Sequence, residues 1–105
     1  MEGRYIKKIW YEFLMWESPF DPSDCNSDVI FELDDGSRWA VTFFTYKNIE
    51  TIRNTNRCTG ECLYGTYFCA TDMVLISEIS VETIKAVLQE MLSSGSIEIY
   101  CSKLS

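Results

Sequence analysis

The chain has 105 residues, 47% apolar and 14% aromatic, with 16 acids against 9 bases and no histidine. That length fits one hydrophobic core and no second one, so residues 1–105 are read as a single globular domain, and the apolar share excludes a disordered chain. A net charge of −7 opposes phosphate backbones and anionic lipid heads, so neither nucleic acid nor a membrane surface is an expected partner.

In chain order, the start Met1-Glu2-Gly3-Arg4 and the early Glu12 are unlike a signal peptide, and no apolar run reaches the roughly 18 residues that cross a bilayer; the expectation is a soluble, cytoplasmic protein. In residues 5–16, Ile9, Tyr11, Phe13 and Met15 alternate with Trp10, Leu14 and Trp16. This predicts a strand buried on both faces. Residues 17–28 hold Pro19, Pro22 and a series of Asp, Ser and Asn residues, which predicts a loop.

Residues 29–33 and 37–46 are rich in β-branched and aromatic side chains and flank Asp34-Asp35-Gly36, a hairpin signal. A three-residue loop with Gly36 at positive φ sets Val29, Phe31 and Leu33 beside Trp39, Val41 and Phe43, one apolar face. Asn48 is a candidate cap for a short helix from Ile49 to about Asn56. A turn-rich segment with Gly60 and Gly65 leads to the apolar runs 67–70 and 73–77, one broken strand or two short ones. Ser80, the helical spacing of Ile84, Val87, Leu88, Met91 and Leu92, and Gly95 predict a helix over 81–94. The alternation in 97–101 predicts a last strand. The fold class is therefore α+β, a mainly antiparallel sheet with about two helices packed on it, in the order β-β-β-α-β-α-β.

With no histidine, the side chain best suited to proton transfer near neutral pH is missing, and so is the usual activator of Ser or Cys nucleophiles. No catalytic residue is assigned, and a non-enzymatic role is expected. Five cysteines, Cys25, Cys58, Cys62, Cys69 and Cys101, are an odd set without a signal peptide and read as free thiols. Cys58 and Cys62, with Cys69 seven residues on, offer a partial zinc-ligand pattern with no second close pair. The preferred expectation is no metal and no cofactor. Asp21, Asp24, Asn26 and Asp28 lack the glycine and closing Glu of a calcium loop, and no phosphate-binding glycine motif occurs.

Charge placement is the strongest functional signal. Between Lys8 and Arg38 no base occurs, while Glu12, Glu17, Asp21, Asp24, Asp28, Glu32, Asp34 and Asp35 all do. Aromatics ringed by charge are the usual make-up of a protein-docking surface. Trp10 and Tyr11 read first as core residues; Trp16 and Phe20 border the loop and suit either the core or a contact surface. The candidate partner-binding set is Trp16, Glu17, Phe20, Asp21, Asp24, Asp28, Asp34 and Asp35, with a basic protein as the expected partner. Two other classes fit the composition: a small-ligand or zinc-binding domain using the aromatic sheet and the Cys58/Cys62 turn, and a homo-oligomer paired through the 97–101 strand.

The segments DVIFELDDGSRWAVTFFTYKNIETIR and TGECLYGTYFCATDMVLI, within residues 28–76, resemble a group of small bacterial proteins that includes immunity proteins of polymorphic toxin systems. The resemblance implies a cytoplasmic inhibitor that covers the active or substrate-binding surface of a toxin. A nuclease-like toxin is basic because it holds phosphates, and an acidic inhibitor suits it. No catalytic residues come with the resemblance.

Overall fold

A computed structural model describes residues 4–104. The chain is α+β, in the order β1 (Ile6–Tyr11), a 3-10 turn (Glu12–Met15), β2 (Asn26–Leu33), β3 (Arg38–Thr45), α1 (Tyr46–Thr59), a one-turn segment α2 (Glu61–Gly65), β4 (Met73–Ile76), α3 (Val81–Ser94), α4 (Ile97–Tyr100) and β5 (Ser102–Lys103). The sheet runs β1-β2-β3-β4, with β5 also paired to β3. The β1–β2, β2–β3 and β3–β5 pairs are antiparallel, and β3–β4 is parallel. The parallel pair follows from the connection: the chain leaves β3 through α1 and comes back to lie alongside it in the same direction.

The hairpin has the expected register. Val29 lies opposite Val41 and Phe31 opposite Trp39, while Gly36 sits at φ 85°, a left-handed conformation that an L side chain resists. Gly36 N–H donates to Leu33 O at 3.0 Å, and Leu33 N–H to Ser37 O at 2.9 Å, which closes the three-residue loop. On one face Val29, Phe31, Leu33, Trp39, Val41 and Phe43 are buried, and Ile84, Leu88, Met91 and Leu92 of α3 belong to the same core. Ser80 caps α3 by accepting from Thr83 N–H, and Gly95 at φ 75° ends it. The period-3.6 spacing of the apolar residues is what lays one side of this helix on the sheet.

Several expectations are corrected. The strand predicted over 5–16 ends at Tyr11, because the next β2 amide, Asp28 N–H, donates to the Glu12 carboxylate at 3.0 Å in place of a backbone carbonyl. The chain then tightens so that Phe13 alone of its turn is buried. Nor is β1 buried on both faces: it is an edge strand, and its Trp10 is 44% exposed on the side away from α3. Strand β2 begins at Asn26, inside the expected loop.

Helix α1 begins at Tyr46 and is capped by Thr45, whose Oγ1 accepts from Asn48 N–H at 3.1 Å; Asn48 is not the cap, and the helix runs past Asn56 to Thr59. Residues 67–70 form no strand; only 73–76 of that apolar region join the sheet. Residues 97–100 form a helical turn and not a strand: Cys101 N–H donates to Ile97 O at 2.9 Å, and these two residues, four apart, both face the core. A strand-paired dimer through 97–101 therefore has no strand to use.

Helix α1 packs mainly on the turn that follows it, so it stands off the end of the sheet and the molecule is long, 53 × 29 × 22 Å.

Candidate functional surface

Several exposed apolar side chains lie where β1 turns into the loop: Trp10, Leu14, Met15, Trp16 and Phe20. Phe13 is the anchor there, meeting Tyr11, Trp16 and Phe20 edge-on at 5.7, 6.4 and 5.9 Å between ring centroids, and Trp16 meets Phe20 at 4.9 Å and 89°. Edge-on rings place a positive rim against a negative face, which fixes the loop start at this end of the sheet. Because Phe13 turns inward, its two successors cannot: Leu14 is 62% exposed and Met15 83%. Trp16 and Phe20 pack on Phe13 and keep over a third of their surface in water.

Beside this cluster lies a groove of about 510 Å³ with Ile9, Trp10, Leu14, Met15 and Ile30 in its wall and Glu12 and Asp28 on its rim. Trp10 stands on the sheet face away from α3, with Lys8 Nζ 5.9 Å and the Arg38 guanidinium 5.6 Å from its ring centroid. Cations at that distance hold the ring by its negative face.

The acidic residues do not form one surface. Strand β2 has eight residues, about 25 Å at the usual rise per residue, and it separates the 17–25 loop from Asp34 and Asp35. The expected single acidic end is thus divided in two, because the hairpin lies along the sheet between them. Most of these carboxylates also hold the chain locally. Asp21 accepts from Ser23 N–H at 2.9 Å and Ser23 Oγ–H at 2.7 Å, and lies 3.7 Å from Lys47 Nζ. Asp24 accepts from Asn48 Nδ2 at 3.1 Å and Thr51 Oγ1 at 2.8 Å, which ties the loop to α1. Asp28 accepts from Thr42 Oγ1 at 2.7 Å, Asp34 from Tyr5 N–H at 3.3 Å, and Asp35 from Ser37 N–H at 2.9 Å. Hydrogen bonds from Ser23 and Ser37 hold the Asp21 and Asp35 carboxyls below the usual carboxylate range. Glu12, Glu17, Asp21 and Asp28 are the acidic side chains gathered at the Trp16 end.

The set read from sequence is therefore reduced and extended. Trp16, Glu17, Phe20, Asp21 and Asp28 belong to one end of the molecule, Asp24 braces α1, and Asp34 and Asp35 build the hairpin turn. Trp10, Leu14 and Met15 were missed as surface residues.

The cysteines are free thiols: Cys58 and Cys69 are exposed, Cys25 and Cys62 half-buried, and Cys101 buried. Among the described residues no group of three or more His, Cys, Asp or Glu side chains is placed to hold a metal ion, so Cys58, Cys62 and Cys69 do not come together as a ligand set. No described helix is long and apolar enough to cross a membrane.

Fold and surface together define an α+β sheet-and-helix domain with an apolar groove at an edge strand, Glu12 and Asp28 among its lining. No family model matches the chain, and neither a curated protein nor a solved structure matches it.

Proposed function

We propose that this chain is a non-catalytic protein-binding module of the immunity-inhibitor type, which docks a basic, nuclease-like protein with the end of its sheet that carries Trp10, Leu14, Met15 and Trp16. One observation carries the reading: the large apolar side chains Trp10, Leu14 and Met15 stand exposed along one groove that the acids Glu12 and Asp28 also line. Apolar anchors supply affinity on desolvation, and the acidic rim raises the encounter rate with a cationic partner.

Co-purification from the source cells with a stoichiometric basic protein provides the pair to measure. Met15→Asp is expected to accelerate dissociation at least tenfold, and Glu17→Lys to slow association at low salt with little change at high salt. A complex that tolerates both substitutions without change in either rate places the contact elsewhere. Failure of any basic protein to accompany the native chain removes the reading.

A further inference from the structure

We propose that the pocket between α1 and residues 64–68 binds a small organic anion, a phosphate monoester of a molecule that also bears a flat aromatic ring, as in a mononucleotide, whose sugar joins the two. The pocket holds about 490 Å³, within the range of roughly 300–1,000 Å³ that small-molecule sites occupy. It shares no lining residue with the groove at Trp10.

Its helix wall is cationic in an acidic chain: Arg53 and Arg57 of α1 line it and Glu50 is the one acid of that helix, while Lys47, outside the lining, pairs with Asp21. Arg53 and Arg57 are four residues apart, so they rise from one helix face about 5–6 Å apart at Cβ, and both line the pocket. Glu50 occupies one nitrogen of Arg53, its carboxylate oxygens lying 3.1 and 3.5 Å from Nη1. Arg57 has no carboxylate partner among the described residues, and its Nη1 donates to the neutral Asn54 Oδ1 at 3.2 Å. A guanidinium has five N–H donors in a plane, so each arginine keeps donors for an incoming phosphate, which two such forks hold well.

The facing wall is aromatic, with Tyr64, Tyr67 and Phe68. It is held in place from both ends. Phe68 meets Phe44 of the sheet edge-on at 5.5 Å, and the backbone at Gly65 lies so close to α1 that a Cβ there would sit 2.8 Å from Arg53 O. Just before Gly65, Cys62, Leu63 and Tyr64 take φ of 54°, 53° and 56°, a left-handed turn that costs on the order of 1–2 kcal/mol per residue. This turn keeps Tyr64 70% exposed beside the arginines, where its ring and that of Tyr67 offer π faces for a flat ligand to stack on.

The probe is AMP, titrated calorimetrically into the full chain at low salt, with adenosine and inorganic phosphate as its two halves. The expected result is saturable one-to-one binding of AMP, with each half weaker by about tenfold or more, the measure of a lost stack or a lost charged fork. Arg57→Gln and Arg53→Gln, each with an unchanged circular-dichroism spectrum, are each expected to weaken AMP binding about tenfold, while Met15→Asp leaves it unaltered. The proposal is overturned by AMP that fails to saturate in the low-millimolar range, by arginine variants that bind as the wild type does, or by inorganic phosphate that binds as tightly as AMP.

Discussion

The indole N–H of Trp39 donates to the Oγ of Ser37 at 2.9 Å, inside the core. Ser37 in turn donates its hydroxyl proton to Asp35 Oδ1 at 2.5 Å, so an acid of the hairpin turn is joined through one serine to a buried tryptophan. Ser37→Ala leaves the indole N–H without an acceptor in a place water does not reach. Such a loss costs about 1–3 kcal/mol, which urea unfolding followed by tryptophan fluorescence will register as a lower midpoint with an unchanged slope.

Acid should unfold the protein partly through the same turn. Asp35 and Asp21 have carboxyls held below the ordinary value of 3.8 by serine hydrogen bonds, whereas in the unfolded chain those bonds are gone. Between the two values the unfolded chain binds more protons, so stability rises with pH there. The contribution is complete above the ordinary carboxylate range and is lost as pH falls through the lowered folded-state values. Asp35→Asn and Asp21→Asn should each flatten the decline of urea midpoint below about pH 4; an acid limb as steep as that of the wild type would contradict the assignment.

Thr45 joins two elements with one oxygen. Its Oγ1 accepts from Asn48 N–H at 3.1 Å, capping α1, and from Cys25 N–H at 3.2 Å, closing the acidic loop on the sheet. Thr45→Val keeps the shape and removes the acceptor, and is expected to cost about 1–2 kcal/mol. Hydrogen exchange should accelerate in the first turn of α1 and at Cys25 together.

Two leucines with the same side chain should behave oppositely. Leu88 on α3 is fully buried and Leu14 is 62% exposed. Leu88→Ala removes core volume and is expected to cost about 2–5 kcal/mol, while Leu14→Ala should stay within about 0.5 kcal/mol. Thermal or urea unfolding of the pair checks whether the turn after β1 really leaves Leu14 outside.

Thiol labelling should divide the cysteines. Burial pushes the Cys101 thiol up to about 12, with Asp72 and Glu98 adding to it, and burial followed by Asp21 and Asp24 raises Cys25. Cys58 and Cys69 are exposed. A thiol reagent at mildly alkaline pH should modify Cys58 and Cys69 in the native protein and reach Cys101 only after denaturant is added, because the thiolate is the reacting form. Fast native labelling of Cys101 would show that Ile97 and Cys101 do not pack as described.

Within this fold, the hairpin and α3 could be read from residues alone. The Asp34-Asp35-Gly36 loop needs one positive φ that glycine supplies, and the paired alternation on either side allows one register that buries Val29, Phe31 and Leu33 together. Ser80, five apolar residues at helical spacing and Gly95 likewise mark a start, a face and a stop within fifteen positions. Signals of this kind are satisfied by neighbours in the chain, so they survive without knowledge of the rest.

What the tertiary structure decided was which faces are covered. The run after Tyr11 alternates as well as any strand, but the next β2 amide, Asp28 N–H, goes to the Glu12 carboxylate, and Leu14 and Met15 end in water. Residues 97–101 alternate too, yet Cys101 N–H donates to Ile97 O and Ile99, which a strand would turn to the same face as those two, stands 72% exposed. The acids from Glu12 to Asp35 form one block in sequence, and the length of β2 sets them at two ends of the sheet. In each case the deciding term is a partner or a separation supplied by distant residues, and short-range pattern contains neither.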